Sequence, residues 1–284
     1  MIQPTIARVV AYAGAAAAAA VLGALPARAQ EPFDRSRDRG PGVPSSMFGT
    51  YIGARQILVY PYFEYYRDSD YEYEPFELGF GDVTEHRGRY RAKEGLIFVG
   101  YGISENLAIE FELATISASL EKSPLDTSLL PARVEESGLG DVETQLRWRW
   151  RQETDTRPGL FSYFETVFPF QDKTSLIGTS EWEFKFGFGL VRGLRWGTIT
   201  ARAAVGNSGG SFEPGEYAFE YLKRVSSRVR VFGAVEGSED EVELITEAHV
   251  FLAPNVFLKL NNAFGLTSKA PDWAPEIGLM IVFR

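Results

Sequence analysis

From Arg55 onward, apolar and polar residues alternate with a period of two, the spacing that puts successive side chains on opposite faces of a β-strand. Between Glu181 and Val191 the alternation is complete: Trp182, Phe184, Phe186, Phe188 and Leu190 fall on one face, and Glu181, Glu183, Lys185, Gly187 and Gly189 on the other. Asp141 to Arg151 repeats it, with Val142, Thr144, Leu146, Trp148 and Trp150 set against Glu143, Gln145, Arg147, Arg149 and Arg151. A ladder of arginine and glutamate cannot be the core of a soluble protein, because such side chains are almost never fully buried unless paired. The pattern predicts a sheet whose apolar face meets lipid and whose polar face meets water.

About twelve such segments occur, near residues 55–66, 89–102, 105–118, 140–152, 159–170, 181–192, 196–206, 215–224, 227–237, 241–252, 255–266 and 273–283. Most run to about ten residues or slightly more, enough for a tilted strand to cross a bilayer. Segments 56–66 and 95–101 are apolar or aromatic on both faces, which leaves their facing open. The links at Ser104-Glu105, Glu153-Pro158, Gly193-Arg195, Ser226-Ser227 and Pro254-Asn255 are short. Those at Arg67-Gly88, Leu120-Leu139, Gln171-Ser180, Asn207-Pro214 and Thr267-Asp272 are longer, with Ser238-Asp240 a short exception. Short periplasmic turns, longer outer loops and an even strand number mark the barrels of Gram-negative outer membranes. Closure also removes the unpaired edges that an open sheet would leave in lipid. The expected fold is all-β, a closed antiparallel transmembrane β-barrel of about 12 strands over residues 54–284.

Ahead of the barrel, Arg8 precedes an alanine-rich apolar run from Val9 to Leu22, followed by Pro26, Ala27, Arg28 and Ala29. This is the layout of a signal peptide over residues 1–29, cleaved after Ala29. The run is shorter than the roughly 20 residues a membrane helix needs. Residues 30–53 are polar and rich in Pro, Gly, Arg and Asp, with nothing periodic to bury. They are expected to form a flexible N-terminal leader, with a small periplasmic or lumen-inserted plug as the less favoured alternative. At the other end, Ile277, Leu279, Ile281 and Phe283 alternate with Glu276, Gly278, Met280 and Val282. An aromatic such as Phe283 on the last strand is what barrel-assembly machinery reads, although here Arg284 follows it.

Composition narrows the function. Mean hydropathy is -0.13 and no long apolar run follows the signal, which excludes a helical membrane protein. The apolar content is aromatic, with 21 Phe, 13 Tyr and 5 Trp, and Tyr60, Tyr62, Phe63, Tyr65, Tyr66, Trp148, Trp150, Trp182, Trp196 and Trp273 are expected to form an interfacial girdle. A net charge of -9 argues against nucleic acid as partner, because phosphate binding needs clustered cations. With 0 Cys, thiol chemistry and cysteine metal sites are absent.

Of the 2 histidines, His86 falls in a predicted outer loop and His249 on a predicted strand. A barrel-embedded lipid hydrolase would need a serine within about 3 Å of such a base. No serine lies on the strand of His249, which shares a face with Glu243, Glu247 and Phe251, so a polar lumen residue is expected. Without a G-x-S-x-G elbow, an H-E-x-x-H helix, a phosphate loop or a dinucleotide fingerprint, no catalytic residue, cofactor or metal is expected. The acidic run Asp68, Asp70, Glu72, Glu74 and Glu77 suits either Ca²⁺ or plain solvation.

The polar faces carry Glu110, Glu112, Glu143, Glu183, Glu220, Glu243, Glu247 and Glu276, interleaved with Arg147, Arg149, Lys185, Arg228, Arg230, His249 and Lys259. A glycosidase would use two of the carboxylates but would not explain the interleaved cations. A pore lining of cross-strand ion pairs explains both signs. Gly187 and Gly189 are expected to ease lumen packing or curvature, so that arginine would be tolerated better at position 187 than at the lipid-facing Phe186.

Two segments resemble a known family: Ser137-Gly138-Leu139-Gly140-Asp141-Val142, leading into a strand, and Tyr101-Gly102-Ile103-Ser104-Glu105-Asn106-Leu107, a tight turn. Together they resemble the outer-membrane transporter family associated with the meta-pathway of phenol degradation, and more loosely other transporter-like barrels. The resemblance implies passage of small organic compounds across the outer membrane and assigns no substrate-contacting residue. The expected function is a channel or transporter for small solutes, aromatic or apolar ones among them, with outer-membrane lipids and the assembly machinery as partners. The alternatives are a barrel without transport, either a lipid-modifying enzyme or a structural or adhesion protein, and a soluble periplasmic β-sandwich or lipocalin-like binder. The last would expose more apolar surface than a soluble monomer tolerates.

Overall fold

The structure, a computed structural model, describes residues 34, 37–170, 176–179, 181–238 and 241–284. The expected signal peptide at 1–29, its cleavage point and residues 30–33 lie outside the described residues. From residue 37 onward the described residues form one compact unit.

Two short strands, β1 (Val43–Pro44) and β2 (Tyr51–Ile52), pair as a hairpin ahead of twelve long ones. The long strands are β3 (Ile57–Tyr73), β4 (His86–Gly102), β5 (Leu107–Glu121), β6 (Arg133–Arg151), β7 (Gly159–Phe168) and β8 (Glu183–Leu194). They continue with β9 (Gly197–Ser208), β10 (Ser211–Arg224), β11 (Val229–Ser238), β12 (Glu241–Ala253), β13 (Val256–Gly265) and β14 (Ala274–Phe283). Each pairs antiparallel with its chain neighbours, and β14 pairs with β3 through Phe283↔Ile57 and Ile281↔Val59, closing the barrel. Among the described residues no helix is long and apolar enough to cross a membrane; the crossing elements are strands.

Alternation decides the facing. In β8 the outward Phe184, Phe186, Phe188 and Leu190 are exposed, whereas Gly187, Gly189 and Val191 are buried inside. The segments whose facing was open resolve the same way: Leu58, Tyr60 and Tyr62 point into the lumen and Ile57 and Phe63 outward. Tyr60 and Tyr62 are therefore wall residues, stacked with centroids 4.6 Å apart, and not members of the girdle. Tyr66, half-buried and packed on Tyr90 at 5.4 Å, is also inside. Phe63, Trp148, Trp150, Trp182, Trp196 and Trp273 are exposed on the outer surface, where aromatic rings suit the membrane interface.

The long links are shorter than expected because strands overrun them. β3 continues to Tyr73 and β4 begins at His86, and β5 and β6 likewise extend to Glu121 and from Arg133. Beyond the hydrocarbon layer both faces of a strand meet water, so apolar alternation stops while the backbone ladder continues. The expected loop at 207–214 is a two-residue turn at Gly209 and Gly210, with φ of 57° and 86°, the left-handed pair of a tight hairpin.

The segment expected as a flexible leader is, from residue 37, folded inside the barrel. Val43 and Ile52 of the β1–β2 hairpin are fully buried against Leu58, Tyr60, Phe98, Phe257 and Met280. Phe48 stacks on Phe232 at 5.2 Å, among Leu222, Ala234 and Ile245. A segment without periodicity is thus held by a few apolar anchors and by polar contacts with a wall already lined with charge.

Candidate functional site

The lumen divides into a plugged end, a chamber and an outer mouth. The plugged end is the one where β3 starts and β14 stops. Arg147 Nη1 donates to the carbonyl of Pro44 at 2.8 Å, and Arg149 Nη1 to that of Gly42 at 2.7 Å. Ser46 donates its N–H and hydroxyl to Glu110 Oε2 at 3.0 and 2.7 Å. Arg39 pairs with Glu153 at 2.5 Å, and Asp38 accepts from the Arg224 N–H at 2.9 Å. These charge-assisted bonds tie the plug to β5, β6, β10 and the β6–β7 turn.

Beneath the plug, His249 is fully buried against Phe257. Arg230 Nε donates to His249 Nδ1 at 2.8 Å, so the ring carries its proton on Nε2, which faces Glu247. Glu247 also meets Lys259 at 3.3 Å. Both ring nitrogens are engaged, leaving His249 no capacity to act as a base toward a serine; it is a structural member of a buried polar cluster.

Above the plug opens a chamber of 550 Å³ whose floor is Ser46, Met47 and Phe48 and whose wall includes Glu64, Glu183, Glu243, Lys259 and Asn261. A cavity of 390 Å³ shares Tyr62, Glu64, Val167 and Glu183 with it and adds Glu94, Glu112 and Glu143. A third, of 330 Å³, runs down beside Glu110 and Arg147. Opposite the tyrosine wall, Arg202 sits among Glu216, Glu220 and Glu236, bonded to the last two at 2.9 and 2.8 Å. Lys185 lies 3.0 Å from both Glu165 and Glu216.

The sequence-predicted lining residues therefore separate into three groups. Glu110, Arg147, Arg149, Arg230, Glu247 and His249 hold or underlie the plug, and Lys259 joins Glu247 there while also lining the chamber. Glu112, Glu143, Glu183, Lys185, Glu220 and Glu243 face the chamber or its wall network. Arg228 is corrected: it is exposed in the β10–β11 turn, outside the lumen, because β10 ends at Arg224. Arg147 meets Glu110 at 3.5 Å, and Arg149 bonds carbonyls and Asn106 Oδ1. Arg202, Glu165, Glu216 and Glu236 were missed; period two, counted from Glu220 back through β9, would have placed Arg202 inside.

At the outer mouth the acidic run is not gathered for a cation. Asp70 and Glu72 pair with Arg87, Glu72 also with Lys269, and Asp68 accepts from the N–H of Asp70. The β5–β6 loop is pinned instead by Asp126. It accepts from the Tyr73 hydroxyl at 2.9 Å and the Ser128 N–H at 2.7 Å, with His86 and Lys122 each at 3.6 Å. Leu176 and Ile177 of the β7–β8 loop pack inward on Tyr90 and Leu120.

A closed twelve-strand barrel with aromatic outer rings and a charged, plugged lumen defines the class: an outer-membrane-type β-barrel. Solved structures agree on the fold. A crystal structure of an outer membrane channel from Pseudomonas putida F1 superposes with a TM-score of 0.60 at 14% identity, covering 85% of this chain and 100% of that one. The translocator domain of autotransporter NalP from Neisseria meningitidis gives a TM-score of 0.51 at 10% identity, over 81% of this chain and 89% of its own. No protein-family model and no curated protein matches the chain.

Proposed function

We propose that this barrel is an outer-membrane channel or transporter for small solutes whose passage is occluded by its own N-terminal plug. The observation that carries the reading is the polar chamber of 550 Å³, walled by barrel strands and floored only by residues 46–48 of the plug. Twelve strands fall between the eight that side chains fill and the sixteen that leave an open channel, so a single short segment is enough to close the lumen. The likeness to a channel and the resemblance to the meta-pathway-associated transporters support the same reading. Residues 1–29 act as a cleaved signal peptide in it, and the assembly machinery inserts the barrel among outer-membrane lipids. Two measurements test it: conductance in planar bilayers and swelling of liposomes in arabinose, for the wild type and for a variant lacking residues 37–53. Small or intermittent conductance in the wild type, and larger sustained conductance with arabinose uptake in the deletion, are expected. A correctly folded deletion variant that neither conducts nor admits arabinose overturns the proposal.

A further inference from the structure

The balance of charge in the chamber identifies what it would hold. Every cation in the described wall is already engaged: Arg202 by three glutamates, Lys185 by two, Lys259 by Glu247 and Arg147 by Glu110. The carboxylates are not. Among the described residues Glu64, Glu94, Glu112, Glu143, Glu183 and Glu243 have no cation within ion-pair distance, and all six line the chamber or the cavity that shares Tyr62, Glu64, Val167 and Glu183 with it.

A second observation is independent of charge. Glu110 Oε1, on a side chain 2% exposed, and Asn261 Oδ1 are buried without a hydrogen-bond partner, and both residues line the cavities. Each is an acceptor. None of the orphaned donors in the described structure lies on these walls. Buried acceptors left unmet cost free energy that a donor would recover. What fits is therefore a hydrogen-bond donor carrying positive charge. The volume lies within the roughly 300 to 1,000 Å³ of small-molecule sites, larger than a bare metal ion needs. Tyr62, on the same wall, offers an aromatic surface beside the carboxylates.

We infer that the chamber binds small organic cations of the ammonium or guanidinium class, and that these are the solutes admitted; the second half rests on the channel reading, the first does not. Binding places the cationic N–H donors on Glu143, Glu183 and their neighbours, with the carbon body against Tyr62 and Phe48.

The test uses three probes of similar size that differ in charge: benzylammonium, benzyl alcohol and benzoate, titrated calorimetrically into the purified full-length barrel in detergent. Benzylammonium alone should bind, and Glu143→Gln with Glu183→Gln should weaken it by about tenfold or more, with folding checked by heat-modifiable electrophoretic mobility. If that pair does not fold, Glu64→Gln serves in its place, together with the reversal potential of the wild type under a KCl gradient, expected on the cation-selective side. Equal binding of the three probes, preferred binding of benzoate, or an unchanged affinity in the folded variant overturns the inference. So does benzylammonium failing to bind while the plug-deleted barrel admits arabinose. Benzylammonium binding without arabinose uptake would leave the cation site standing and remove the channel.

Discussion

Gly187 lies in mid-strand on the lumen face, beneath the ring of Tyr163. A Cβ there would stand 2.1 Å from Tyr163 Cζ and 2.5 Å from its hydroxyl oxygen, so the ring must leave. Tyr163 is 1% exposed, carries Arg147 over its face at 4.9 Å and donates to Glu216 at 3.2 Å. Overpacking of this kind costs about 1–3 kcal/mol, and the displaced hydrogen bond adds about 0.5–1.5 kcal/mol. Gly187→Ala should therefore destabilise the barrel by about 2–4 kcal/mol. Any side chain at 187 meets the same ring, which counts against arginine being tolerated better there than at Phe186. Gly206→Ala is the control. It sits on the same face of the neighbouring strand, its Cβ would meet nothing closer than 4.0 Å, and it should change stability by less than about 0.5 kcal/mol. Urea unfolding in detergent, followed by tryptophan fluorescence and by heat-modifiable mobility, measures both. Tyr163→Ala combined with Gly187→Ala should cost less than the sum of the two singles, because removing the ring removes the clash that the alanine at 187 creates. Equal, mild effects of the alanines at 187 and 206 would refute the reasoning.

Phe186→Arg on the lipid face should cost about 2–4 kcal/mol if the residue sits near the bilayer midplane, read as folded barrel recovered in the outer membrane; undiminished recovery would count against the facing. Changing Arg147 and Arg149 together to alanine removes the bonds to the plug carbonyls of Pro44 and Gly42, so a Ser45→Cys reporter should label faster with maleimide, conductance should rise and selectivity should move toward cations. Unchanged labelling would mean the apolar anchors alone hold the plug. The Asp126 carboxyl is opposed by burial, but the Ser128 hydroxyl and N–H and the Tyr73 hydroxyl outweigh it and hold its pKa below 3.8. A lowered folded-state pKa contributes stability that is present above the unfolded value and lost as pH falls through the folded one. Protease cleavage in the 122–132 loop should therefore rise only below about pH 4 in the wild type, whereas Asp126→Asn should be cleaved readily at neutral pH; identical profiles would show that the pin does nothing.

The sequence alone determined the architecture. Period two is a local property, so Trp182 to Leu190 against Glu183 to Gly189 gave the facing without any knowledge of neighbours, and the rhythm of turns pointed to a closed barrel of about twelve strands, which closes at twelve. Alternation also placed Glu143 and Lys185 on the face the barrel turns inward, whereas Arg228 lies exposed in a turn, because strand ends are set by turn geometry rather than by alternation. Only the tertiary structure decided what the inner face does. Residues 37–53 have no periodicity to announce a plug, because their anchors, Val43, Phe48 and Ile52, bury against strands from both ends of the chain. Charge pairing was equally invisible. Which glutamate neutralises Arg147 or Arg202 depends on register and on what enters the lumen, and the surplus of unpaired carboxylates among the described residues appears only once Arg147, Lys185, Arg202 and Lys259 have found their partners. Gly187 makes the same point at one residue: its smallness was legible, but the ring above it comes from β7, across the sheet.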